Sequence, residues 1–155
     1  MLLIMTKNKR TKHFLRYYAP ILFWMGLIFY FSSLEGNGYK GNPDFWFYAE
    51  RKGAHVFEYI ILTLLIARAL LVKMKKKKEF FQKIILVGGL SFLYAISDEI
   101  HQIFVYGREG KILDVGIDFI GILIAILILL KFYKTKFINN FLAYMQKRFC
   151  KKRRK

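Results

Sequence analysis

The chain has 155 residues, 55% of them hydrophobic and 18% aromatic, and 27 lysines and arginines against 10 acidic residues leave a net charge of +17. The apolar residues come in blocks of about twenty, enough to cross ~30 Å of hydrocarbon, which argues against a soluble amphipathic fold. The basic residues sit at the ends of those blocks rather than among exposed aromatics, which argues against nucleic-acid binding, and the single cysteine, Cys150, excludes an internal disulfide.

Residues 1–16 read as a polar, basic arm carrying Lys7, Lys9, Arg10, Lys12 and Arg16, with His13 as a solvated surface residue. The start is apolar and then basic, the reverse of a cleavable signal peptide, so the first span is expected to be retained. That span covers residues 17–34. Pro20 falls in its first turn, where a missing N–H is tolerated, its aromatic residues face lipid or core, and Ser32 and Ser33 close it. Residues 35–53 read as a loop, with Trp46 and Tyr48 suited to the interface.

The second span, residues 54–72, carries His55 and Glu58 near its start and Arg68 near its far end, where a long side chain can reach for head groups. Residues 73–83 hold six lysines and read as a loop in contact with anionic lipid. The third span covers residues 84–105, with Gly88 and Gly89 permitting close helix approach or a kink. A short connection over 106–111 leads to the fourth span, residues 112–133. In the tail, 134–155, Phe137, Phe141, Tyr144 and Phe149 among basic residues suit a surface helix, with disorder beyond Cys150 as the alternative. Cys150 reads as an unmodified thiol rather than a palmitoylation site.

The expected architecture is an all-α, polytopic membrane protein: a bundle of four transmembrane helices over 17–133, with a basic arm and a basic tail. Lysines and arginines set its orientation. The arm has five, the loop between spans two and three six, and the tail from Lys131 ten; the other two loops have three and two. The positive-inside bias places both termini in the cytoplasm (N-in, C-in).

Between the last two spans the stretch from Ser97 to Gly121 gathers Asp98, Glu99, His101, Arg108, Glu109, Asp114 and Asp118. An ionisable side chain costs roughly 3 kcal/mol at a helix centre on insertion scales, so so many at one level point to use. At 1.5 Å per residue, Asp98 falls roughly 10 Å below the outer end of its span, His101 roughly 6 Å, Glu58 roughly 7 Å and Asp118 roughly 9 Å. His55 and Glu58 share a helix face, as do Asp98 and His101. Asp114 and Asp118 continue into Gly121 and Ala125, small residues that admit a neighbouring helix. Glu99 points elsewhere, toward Arg51, Lys52 or another helix.

Three readings of this cluster stand side by side. In the first, the polar groups satisfy one another and fix the bundle. In the second, they form a pocket in which Arg108 and Lys111 receive a lipid phosphate while His101 and Asp98 do acid–base work. In the third, His55, Glu58, Asp98 and His101 are N/O ligands of a divalent metal. A proton-coupled transporter would also use such groups, but four spans without a broken-helix repeat suit one only as an oligomer.

The chain resembles the VanZ-like membrane protein family. The resemblance rests on Trp24 with Ile28-Phe-Tyr-Phe-Ser-Ser33, on Lys52-Gly-Ala-His55-Val-Phe-Glu58-Tyr59, on Ser97-Asp98-Glu99-Ile-His101-Gln102-Ile-Phe104, on Gly107-Arg108, and on Asp114 and Asp118 with Gly121. It covers residues 17–130. Two positions depart from the family pattern: Tyr106 stands where a proline is expected before Gly-Arg, and Ala125 where a second glycine is common.

The resemblance implies a small multi-pass protein of the bacterial cell membrane. Its family is named for a member linked to low-level resistance to the glycopeptide teicoplanin. The matching positions are Lys52, His55, Glu58, Asp98, Glu99, His101, Gln102, Arg108, Asp114 and Asp118. The leading expectation is binding of an anionic lipid or lipid-linked cell-wall precursor at the outer leaflet, lowering glycopeptide sensitivity. On that reading Lys52, His55, Glu58, Gln102, Arg108, Asp114 and Asp118 bind the ligand. The alternative is an intramembrane hydrolase or transferase acting on a phospholipid or polyprenyl-phosphate head group, metal-assisted or not. There His101, Asp98 and Glu99 are catalytic, with His101 as base and Asp98 as its orienter.

Overall fold

The computed structural model describes residues 11–34, 45–72, 77–108 and 110–134, and among these it is all-helical, with no strand. Helix α1 covers Thr11–Tyr17. Helices α2 (Ala19–Ser33), α3 (Phe45–Leu71), α4 (Lys77–Ile103) and α5 (Ile112–Lys134) follow. The readings for residues 35–44, the lysines at 73–76, Glu109 and the tail with Cys150 lie outside the described residues.

Three stretches are long and apolar enough to cross a membrane: Ala49–Leu71, Lys78–Ile103 and Ile112–Tyr133. Helix α2 has 15 residues, about 22 Å at 1.5 Å per residue, which is short of a bilayer core. Taken as one element with α1, across a 43° bend at Tyr18, it is long and apolar enough to be a fourth candidate. Pro20 in the first turn of α2 explains the bend, since its ring lacks an N–H and crowds the carbonyl four residues back. The chain stays hydrogen-bonded across it, from Tyr18 N to Phe14 O (2.8 Å) and from Leu22 N to Tyr18 O (3.0 Å).

The helix ends differ from the sequence expectation. Residues 11–16, read as part of an arm, are helical. Helix α3 starts at Phe45, inside what reads as a loop, because nothing from Phe45 to Lys52 breaks a helix. Helix α4 starts at Lys77, also inside an expected loop. Lys83, in the second turn of α4, donates from Nζ to the Leu70 carbonyl at 2.9 Å, satisfying an orphan acceptor where the dipole of α3 favours a cation. His13 is half-buried rather than solvated, with its ring 4.9 Å from that of Tyr17. Arg68 lies over the Tyr17 ring at 5.8 Å.

Helix α3 is central and touches α2, α4 and α5; α4 also touches α2 and α5. The core between them holds Ile28, Tyr59, Leu62, Ala67, Val87, Ala95 and Ile122. Leucines, isoleucines and phenylalanines such as Phe23, Ile85, Leu93 and Leu127 cover the outside, as expected of helices that are apolar all round. With no apolar difference between neighbours and lipid, polar ties hold the helices together. Trp24 Nε1 donates to the Glu58 carbonyl (3.0 Å), Tyr94 Oη to the Met25 carbonyl (2.7 Å) and Thr63 Oγ1 to Ser91 Oγ (3.1 Å).

Small residues set the closest approach. Asp118, Gly121, Ile122 and Ala125 are buried on α5, as the spacing predicts. A Cβ at Gly121 would overlap the backbone carbonyl of Val56, and backbone cannot swing aside. At Gly88 a Cβ would come 3.1 Å from Ile126 Cδ1, whereas Gly89 meets nothing. Gly121→Ala should therefore cost on the order of 1–3 kcal/mol by overpacking and lower the melting temperature in detergent by several degrees. Gly89→Ala should leave it unchanged or raise it. Equal melting of the two variants would show that α3 and α5 can separate freely.

Candidate functional site

Helices α2 and α4 finish where α3 and α5 begin, and His55, Glu58, Asp98, Glu99, His101, Asp114 and Asp118 of α3, α4 and α5 lie toward that end. On α4 the last two turns place Asp98, Glu99 and Gln102 inward, each at most 5% exposed. On α5 Asp118, one turn in from Asp114, is fully buried. Asp114 lies in the first turn, where the helix dipole favours an acid. His55 and Glu58 come from α3, and Ser32 from α2.

Four buried side chains, Ser32, Asp98, Glu99 and Gln102, form one network. Asp98 Oδ2 accepts from Ser32 Oγ at 2.8 Å and from Gln102 Nε2 at 3.1 Å. Gln102 Nε2 also lies 3.2 Å from Glu99 Oε1, and the backbone N–H of Lys111 donates to Glu99 Oε2 at 2.9 Å. Glu99 therefore faces the start of α5 and its own helix rather than Arg51 or Lys52. Beside this network His55 Nδ1 meets Asp118 Oδ1 at 3.1 Å. A ring nitrogen of His55 and carboxylate oxygens of Glu99 and Asp118 lie within 4.8 Å of one another. At this end, among the described residues, Asp98 Oδ1, Asp118 Oδ2 and the Tyr59 hydroxyl are buried without a hydrogen-bond partner.

The turn after α4 forms without a proline before it. Gly107, at φ 73°, takes the left-handed conformation that reverses the chain, and Arg108 N bonds Val105 O at 3.1 Å. Arg108 then spreads its planar fork over three acceptors. Nε donates to Leu34 O (2.8 Å), Nη2 to Phe31 O (2.7 Å) and Nη1 to Gln102 Oε1 (3.4 Å). The first two are carbonyls at the end of α2, where a helix runs out of its own donors; Phe31 O also takes the Leu34 N–H at 3.3 Å. Burial, and then the charge of Arg51, lower the Arg108 pKa from its ordinary value, while Asp98, Glu99 and Glu58 pull it up. The guanidinium stays charged at neutral pH. Lys52 reaches Asp114 at 3.9 Å, with its side chain half exposed.

His101 is placed apart from the cluster. It stacks on Phe29 at 4.2 Å and its Nε2 lies 2.9 Å from Ser33 Oγ. The one hydroxyl hydrogen of Ser33 goes to the Phe29 carbonyl at 2.7 Å, so Ser33 Oγ accepts from His101 and Nε2 carries the proton. The expected His101–Asp98 pairing is not formed among the described contacts, and the histidine–carboxylate contact is between His55 and Asp118. The Glu58 carboxylate makes no hydrogen bond among the described residues, although its backbone carbonyl accepts from Trp24 Nε1. It closes an otherwise apolar groove of about 200 Å³ between α2 and α3, lined by Trp24, Leu27, Ile28, Phe31, Ala54 and Phe57.

Of the sequence candidates, the structure thus brings together His55, Asp98, Glu99, Gln102, Arg108 and Asp118. It sets Glu58, Lys52 and Asp114 at the edge and turns His101 to α2. Ser32, which the sequence puts at the close of the first span and at the level of the cluster, bonds Asp98 directly, a partnership that a lone serine at a helix end does not signal.

A family model described as VanZ/LLP1 matches residues 17–134. Neither the comparison with curated proteins nor that with solved structures returned a match. The matched residues take in every side chain of the cluster.

If Arg108 clamps the end of α2 to α4, truncating it removes the donor to the Leu34 carbonyl and the Gln102 amide oxygen and leaves Phe31 O with only the Leu34 N–H. Hydrogen bonds to a charged group contribute roughly 1.5–3 kcal/mol when buried and less at a half-exposed site. Arg108→Ala should lower the detergent melting temperature by several degrees. Arg108→Lys, unable to span the same acceptors, should fall in between. Circular dichroism melts check this, and an unchanged midpoint in Arg108→Ala would remove the clamp.

Proposed function

The chain belongs to the VanZ/LLP1 family, and from that premise we propose that it binds an anionic lipid or lipid-linked cell-wall precursor in the bacterial cell membrane. Binding lowers sensitivity to teicoplanin-type glycopeptides. The groove between α2 and α3 carries this reading. It is apolar along Trp24, Leu27, Phe31 and Phe57, which suits an acyl or prenyl chain. At its mouth Arg108 holds the Phe31 carbonyl, and exposed Arg51 and Lys52 precede Ala54 by less than a turn. An apolar slot opening on several cations matches a phosphate on a hydrocarbon tail.

The mouth faces the outer leaflet in a four-span arrangement with both termini cytoplasmic. The lysine and arginine bias of the termini and of the loop between α3 and α4 supports that orientation. Cys150 is the one thiol. In intact cells a membrane-impermeant maleimide should leave it unlabelled, and labelling should appear once the membrane is opened. Labelling of intact cells would invert the topology and put the groove's mouth on the cytosolic side.

The test of the lipid is native mass spectrometry of the full chain with phosphatidylglycerol and undecaprenyl phosphate. The Arg51→Gln/Lys52→Gln double variant should retain either lipid at least several-fold less than wild type. Ala54→Phe, which fills the groove, should do the same, and each variant should lose the protein's effect on teicoplanin susceptibility. Undiminished retention in both would overturn the reading.

One observation favours a second reading, a hydrolase or transferase on the same head group. His55 and Asp118 have the contact of a base and its orienter. Turnover of a labelled lipid by purified wild type, lost in Asp118→Asn, would establish it over simple binding.

A further inference from the structure

We propose that His55, Glu99 and Asp118 hold a divalent transition-metal ion at the floor of the polar end. Three helix segments supply the three ligands: the third turn of α3, the second turn of α5 and the last turns of α4. One donor atom from each lies within 4.8 Å of the other two. Donors around a zinc-sized ion, at roughly 2.0–2.1 Å from it, sit roughly 3.3 Å apart. The His55–Asp118 contact is already 3.1 Å, so small rotations close the set.

A cluster of acids alone would not carry this. The second observation is the state of its oxygens. Asp118 is fully buried, and its Oδ2 has no hydrogen-bond partner. Asp98, 3% exposed, keeps Oδ1 in the same condition. A buried acceptor without a donor costs about 1–3 kcal/mol, more when charged. Protonating Asp118 Oδ2 would only turn an orphaned acceptor into an orphaned donor. A cation satisfies the oxygen as it stands and offsets the charge of Glu99 and Asp118 together.

The surrounding contacts fit a ligand set held in advance. Glu99 is fixed by the Lys111 backbone N–H and by Gln102, and Gln102 is fixed by Arg108. Such outer contacts orient metal ligands and tune their basicity. One imidazole with two carboxylates is an N/O set without thiolate. It favours zinc, manganese or iron over copper(I), and the imidazole disfavours magnesium and calcium. His101, on Phe29 and Ser33, lies outside the set.

The inference does not rest on lipid binding, and its test uses full-length protein stripped of lipid and metal. Titration with zinc or manganese should show one saturable site per chain by elemental analysis after desalting, and a rise of several degrees in melting temperature. His55→Ala, Glu99→Gln and Asp118→Asn should each weaken binding at least 10-fold, while His101→Ala should not. Should those variants fail to fold, cobalt(II) added to wild type should give visible d–d bands that stoichiometric zinc abolishes. No saturable site for any of these ions, or full binding in Asp118→Asn, would overturn the proposal. The lipid measurement stands or falls separately.

Discussion

Charge taken out of water must be met atom by atom, and that constraint shapes one end of this bundle. Arg108 meets the most of it. Its fork joins the carbonyl end of α2 to Gln102 of α4, and Gln102 passes the contact to Asp98 and Glu99. Glu99 then receives the first backbone N–H ahead of α5. Through this chain of contacts one guanidinium ties together α2, α4 and the start of α5. The turn that delivers it needs a left-handed residue, which Gly107 supplies.

The other coupling is steric. Helix α5 lies so close to α3 at Gly121 that no side chain fits between it and the Val56 backbone. Val56 follows His55, and Gly121 lies three residues beyond Asp118. The close approach therefore sets the distance between the imidazole and the carboxylate. A glycine that reads as packing alone is in effect part of the site's geometry.

Much of this was legible in the chain. Apolar blocks of spanning length marked the membrane helices, and the run at spacings of three and four from Asp118 through Gly121 to Ala125 marked the buried face of α5. The helix ends were not legible, because hydropathy reports where apolar residues stop and not where backbone hydrogen bonding stops. Phe45 to Gly53 and Lys77 to Lys83 are helix all the same. The partner of each histidine was also hidden. Asp98 and His101 share a face only to within about 60°, and α2 divides them: Ser32 takes Asp98 while the next residue, Ser33, takes His101. That division depends on how α2 docks, which no spacing within α4 encodes.

The docking of α2 has a further consequence. It touches α3 and α4 but makes no helix–helix contact with α5. Its side-chain ties are Trp24, Ser32, Ser33 and the carbonyls held by Tyr94 and Arg108. Only Ile28 and Ser32 are buried along its length. Its apolar stripe of Ile21, Trp24, Met25 and Ile28 packs on the core and leaves the flank at Leu27 and Phe31 less covered, and the groove at Trp24, Leu27 and Phe57 lies there. Slot and charged floor thus share the one helix that borders both, α2, through Trp24 and Leu27 on one side and Ser32 on the other.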